Sequence, residues 1–88
     1  MTIKELAVIA GYPLRVSYMN QLNRWHCNIE RAEVMRDGFL SSQYGIGNTP
    51  EEAIQSYCEK LRGQTIAIDA YKKALRKEIP IPQTLSYE

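Results

Sequence analysis

The sequence predicts an α+β domain: a helix, a three-stranded antiparallel sheet, a second helix, then a C-terminal extra strand and an extended tail. Three observations carry this. Capping signatures mark two helices, alternating apolar runs mark strands, and Asp37-Gly38 marks a tight turn between two of those strands. The 88 residues suffice for one domain with a modest core. The expected division is an α-β-β-β-α core over 1–63, followed over 64–88 by the extra strand, a basic segment and a proline-containing tail.

Thr2-Ile3-Lys4-Glu5 has the form of a capping box, in which the Thr hydroxyl and the Glu carboxylate each satisfy a free backbone donor. Ile3, Leu6, Ala7 and Ala10 follow at helical spacing, and Gly11 and Pro13 end the helix. The next stretch, "LRVSYMNQLN", reads two ways. Leu14, Val16 and Tyr18 alternate as in a strand, while Leu14, Tyr18 and Leu22 keep helical spacing. With "ELAVIAG" before it, the helical reading resembles the helix-turn-helix of lac-repressor-type regulators and implies DNA binding. The neighbouring run favours the strand. Trp25, Cys27 and Ile29 alternate with His26, Asn28 and Glu30, and "NQLN" is polar enough for a turn. A helix from Leu14 to Leu22 would reverse this and put DNA first.

The second strand is expected to run on to Met35 through an irregularity near Glu30–Ala32, with a third from Phe39 to Tyr44. Gly45-Ile46-Gly47 lacks the third glycine of a dinucleotide fingerprint and is read as a turn from strand to helix. Thr49 is an N-cap, Pro50 takes the first helical position, and Glu52 is placed to complete a second capping box. Ala53, Ile54, Tyr57, Cys58 and Leu61 form one stripe, and Gly63 ends the helix. Ile66, Ile68 and Ala70 suggest a fourth strand. "YKKALRKE" is left as loop, short helix or returning strand, and "IPIPQTLSYE" as an edge segment or loose tail. An exposed edge near 65–70 or 79–82 would suit a homodimer; a monomer is the alternative.

Apolar content of 44%, charged content of 24% and a net charge of +1 fit a soluble globular protein, not a strongly basic nucleic-acid binder. No run reaches the roughly 20 apolar residues of a membrane span, and no signal peptide is apparent, so the cytoplasm is the expected compartment. Cys27 and Cys58 are too few for a disulfide framework and are read as buried thiols. No metal site or cofactor is expected: His26 and Cys27 are adjacent, so on a strand they point to opposite faces, and there is no CxxC pair. The sole histidine has no positioned partner, so no enzyme is expected.

The order of elements over about residues 2–62 resembles the double-stranded-RNA-binding domain, most closely at "GIGNTPEEA". This segment also resembles the N-terminal domain of HicB-type antitoxins. The first resemblance would imply phosphate-binding lysines in the first turn of the second helix. Pro50, Glu51 and Ile54 stand there instead, and Glu51 and Glu52 repel phosphate, so ordinary double-stranded-RNA binding is not expected. HicB proteins carry a further DNA-binding domain for which this sequence offers no candidate segment.

The expected architecture is a sheet covered on one face by both helices, with Arg15, Ser17, His26, Asn28 and Glu30 on the polar face. Such a domain is read as a binding module. Its size and plan are similar to those of small phage-encoded and toxin–antitoxin-associated proteins. That implies an inhibitor or adaptor that occludes a larger protein partner, for instance an anti-defence protein such as an anti-CRISPR, or an antitoxin-like protein. The partner-binding candidates are Arg15, His26 and Asn28 on the sheet, and Tyr71, Lys72, Lys73, Arg76 and Lys77 in the C-terminal cluster. Tyr12, Tyr44 and Tyr71 are further recognition candidates, and Trp25 is expected in the core. Six of the eleven basic residues lie from Lys60 onward, so the alternative is a nucleic-acid-binding regulator using this cluster or the opening stretch.

Overall fold

A computed structural model of the chain describes residues 1–87. The order is α1 (Ile3–Ala10), β1 (Leu14–Met19), β2 (Arg24–Ile29), β3 (Ala32–Arg36), β4 (Phe39–Ser41), β5 (Gly45–Gly47), α2 (Pro50–Leu61), β6 (Thr65–Ile68) and β7 (Lys77–Pro80). The α+β class holds, but two small antiparallel sheets replace the single expected one, with orders β1-β2-β5 and β4-β3-β6-β7.

The split has a local cause. The expected irregularity lies at Glu30-Arg31, where Arg31 takes φ of +63° and bends the chain between β2 and β3. The predicted third strand, Phe39 to Tyr44, forms only at its start, as β4, and Gly45-Ile46-Gly47, expected as a turn, is instead strand β5, paired with β2 in the other sheet. Asp37 and Gly38 both have positive φ, at 52° and 82°, as a two-residue hairpin turn requires.

The opening stretch is helix, then strand. Thr2 and Glu5 form both bonds of the capping box, and Gly11, at φ +83°, closes α1 by donating to the Ala7 and Val8 carbonyls. Residues 14–19 pair with β2 along their whole length, so no recognition helix forms. At α2, Thr49 caps as expected, but the Glu52 carboxylate accepts from Asn48 N–H, one residue before the cap.

Two C-terminal expectations are corrected. The fourth strand is β6, and it lies inside its sheet between β3 and β7, so residues 65–68 present no free edge. Of the two readings of the tail, the edge segment holds at its start, where Ile79 and Pro80 belong to edge strand β7, and the loose tail does not: Ile79, Ile81 and Leu85 are buried, and Ser86 bridges Thr2, accepting from Ile3 N–H and donating to Met1 carbonyl. One core unites both helices, both sheets and the tail, including Leu6, Cys27, Ile29, Tyr57, Leu61, Ile66 and Leu85. Trp25 packs at its margin, half-buried and edge-on to Tyr18. Asp69 joins three segments: it accepts from the Tyr12 hydroxyl and pairs with Arg31 at 3.6 Å, while its N–H bonds Arg31 carbonyl.

Candidate protein-binding surface

The register of the first sheet sorts its side chains. Directly opposed residues of antiparallel strands share a face. Leu14, Val16 and Tyr18 therefore join Trp25, Cys27 and Ile29 on the inner face, with Gly45 and Gly47 of β5. Arg15, Ser17 and Met19 join Arg24, His26, Asn28 and Ile46 on the outer face.

Helix α2 holds the β5 border of this surface in place. A Cβ on Gly45 would lie 1.9 Å from Ala53 carbonyl oxygen, and one on Gly47 would lie 2.5 Å from Glu52 Cβ. Only glycine lets the strand lie so close to the helix. Ser56 hydroxyl accepts Ile46 N–H at 3.2 Å, and Lys60 Nζ donates to Tyr44 carbonyl at 2.6 Å. With its inner side fixed, β5 displays Ile46 outward and brings Tyr44 against His26, ring centroids 4.2 Å apart. Tyr44 is 39% exposed and Ile46 37%, so a half-open aromatic and apolar strip lies beside polar groups. Next to it, Arg15 pairs with Glu30 at 3.4 Å, and Asn28 donates to Ile29 carbonyl.

The sequence-predicted residues thus fall into two groups. Arg15, His26 and Asn28 share the outer face of the first sheet. Tyr71, Lys72 and Lys73 lie in the connection from β6 to β7, Arg76 just before β7, and Lys77 at its start. This second group is partly consumed internally. Arg76 pairs with Glu78 at 3.1 Å and donates to Met35 sulfur, Lys77 donates to Ile9 carbonyl, and Tyr71 donates to Glu33. Among the described residues, the side-chain ammonium groups of Lys72 and Lys73 are the ones in this cluster that form neither an ion pair nor a hydrogen bond.

Sequence reading placed Met19 in step with Arg15 and Ser17 but missed Arg24 and Ile46 as members of the outer face. The signal for Ile46 was present: glycines at i and i+2 around an apolar residue have strand periodicity with the helix-facing side chains deleted.

Both cysteines are free and buried. Burial pushes the Cys27 thiol up to about 12, with the neighbouring Cys58 adding to the effect, and burial also raises Cys58. Neither is a thiolate nucleophile near neutral pH. A groove of about 520 Å³ opens between α2 and the β3–β4 hairpin, where Phe39 is 77% exposed beside Arg36, Asp37, Glu59 and Lys60. No helix among the described residues is long and apolar enough to cross a membrane. Comparison with protein-family models, curated proteins and solved structures finds no match.

Proposed function

We propose that the protein is a non-catalytic binding module that occludes part of a larger protein, acting as an inhibitor or adaptor of the anti-defence or antitoxin-like kind. The observation that supports this is the outer face of the first sheet. His26, Tyr44 and Ile46 form a half-open aromatic and apolar strip, buttressed from behind by α2 and flanked by Arg15, Arg24 and Asn28. Aromatic groups on a rigid support, with arginine at the margin, are the composition of an interface centre. The fitting partner surface is a protein one, with an apolar or aromatic group against the strip and a carboxylate opposite Arg24.

Nucleic-acid binding is the second reading. It needs several uncompensated cations on one surface, since phosphate contacts supply the affinity. Glu30 compensates Arg15, Glu78 compensates Arg76, and Glu51 and Glu52 occupy the first turn of α2. These pairings favour the protein partner.

Capture from host extract with and without nuclease separates the readings. A stoichiometric protein that survives nuclease and is lost with Ile46→Asp is expected. Recovery of nucleic acid alone, with affinity falling steeply as salt rises, contradicts the reading.

A further inference from the structure

We infer that β1 is a self-complementary edge through which two copies of this chain join into a dimer with one continuous six-stranded sheet. The hydrogen-bond phase of the first sheet carries the inference. Glu30 N–H donates to Pro13 carbonyl at 3.1 Å, which fixes the alternation along the β1–β2 ladder. Arg15, Ser17 and Met19 therefore exchange bonds with Asn28, His26 and Arg24, their register partners. Leu14, Val16 and Tyr18 turn their N–H and C=O groups the other way, toward an edge that no other strand among the described residues pairs.

The other sheet edges are blunted. The outward N–H of β5 at Ile46 is taken by Ser56 of α2. Strand β4 has only three residues, and β7 carries Lys77 and ends in Pro80, which has no N–H. Short length, charge, proline and a covering helix are the usual protections of a strand edge. Strand β1 has six residues, no proline and no covering bond; its only charge, Arg15, is compensated by Glu30.

A second β1 fits this edge in an antiparallel register centred on Val16. Leu14 then opposes Tyr18 of the second copy, Val16 opposes Val16, and Tyr18 opposes Leu14. All three pairs are of the bond-exchanging kind, which gives about six new N–H···O bonds. The same register sets apolar against apolar on the inner side, where Tyr18 is 46% exposed in the single chain. On the outer side it sets Arg15 against Ser17 twice, so no like charges meet head-on. The pairing is isologous and closes at two copies.

This contact goes beyond the partner reading and does not rest on it. The outer-face strip projects from the sheet, whereas the shared edge lies in its plane, so a failure of one leaves the other standing.

Sedimentation equilibrium of the full chain over a concentration series provides the test. A monomer–dimer equilibrium is expected. Ser17→Glu sets a carboxylate opposite Arg15 of the other copy, twice per interface, and tightens the dimer about fivefold. Ser17→Arg sets guanidinium against guanidinium at the same two places and weakens it by a similar factor. Val16→Pro removes an outward donor without breaking a bond within the chain, and gives a folded monomer by far-UV circular dichroism. The inference is overturned by a wild-type protein that stays monomeric up to about millimolar chain concentration. It is equally overturned by a dimer whose affinity the two Ser17 substitutions leave alone or shift in the same direction.

Discussion

The Tyr57 hydroxyl accepts the backbone N–H of Ile29 at 3.0 Å inside the core. The reason is topological. Strand β5 stops at Gly45, so beyond Cys27 the far side of β2 has no ladder partner, and a side chain from α2 supplies the missing acceptor. Tyr57→Phe keeps the ring and orphans the donor. It is expected to cost about 1–3 kcal/mol, measured by urea unfolding with the slope unchanged.

Two glycines separate steric need from backbone strain. Gly45→Ala drives a methyl group into Ala53 carbonyl oxygen and Tyr57 nitrogen, both helix backbone that cannot swing aside. The expected loss is about 3 kcal/mol or more, the upper end of overpacking penalties. Gly11→Ala meets nothing within 4 Å and suffers only from φ of +83°, so about 1–2 kcal/mol is expected. Thermal melts of the two variants should rank in that order. Gly45→Ala should also disturb partner binding, because it moves Tyr44 and Ile46, while Gly11→Ala should not.

Alkaline pH should unfold the protein through its buried acids. Burial pushes both the Cys27 thiol and the Tyr57 phenol up to about 12. In the unfolded chain they ionise near about 8.5 and 10. Above each unfolded value the unfolded state has lost a proton that the native state keeps, so the free energy of unfolding falls as pH rises. The fall starts near pH 8.5, steepens near 10 and ends near 12, with a slope of up to about 1.4 kcal/mol per pH unit for each group. Denaturant midpoints measured from about pH 7 to 11 check this. Thiol-directed reagents at about pH 8 should label neither cysteine until the chain unfolds.

The docked tail is part of the fold. Leu85 is 1% exposed, and Arg62 Nε donates to its carbonyl at 2.8 Å. Leu85→Ala should cost about 2–5 kcal/mol, as for other fully buried leucines. A smaller loss by calorimetry, within about 0.5 kcal/mol of wild type, would show that the tail packs less closely than described.

Local rules made much of this readable in advance. Thr2, Glu5 and Gly11 bound α1, Thr49 and Pro50 open α2, and Asp37-Gly38 turns β3 into β4, because capping and turn chemistry act within a few residues. The bend at Arg31 was legible as a break in alternation. The tail was not legible: Ile79, Ile81 and Leu85 follow no single period, prolines interrupt them, and their burial depends on α1, α2 and β6, which are distant in sequence. At the surface, strand parity placed Arg15, His26 and Asn28 on one face. It could not show that Arg76 reaches Met35 or that Lys77 reaches Ile9, because these partners lie 41 and 68 positions away; the Arg76–Glu78 pair is local and was open to reading.

The outer face of the first sheet as the partner surface is tested most directly by titrating the captured protein partner against two variants in a calorimeter. Ile46→Asp puts a charge at the centre of the strip without touching the core, and Lys72→Glu with Lys73→Glu reverses the two cations of the C-terminal cluster whose side chains have neither an ion pair nor a hydrogen bond among the described residues. Ile46→Asp is expected to weaken binding at least about tenfold, a loss of roughly 1.4 kcal/mol, while the double lysine variant binds within about twofold of wild type. Binding that survives Ile46→Asp and collapses with the lysine reversal would contradict this assignment and move the contact to the C-terminal cluster.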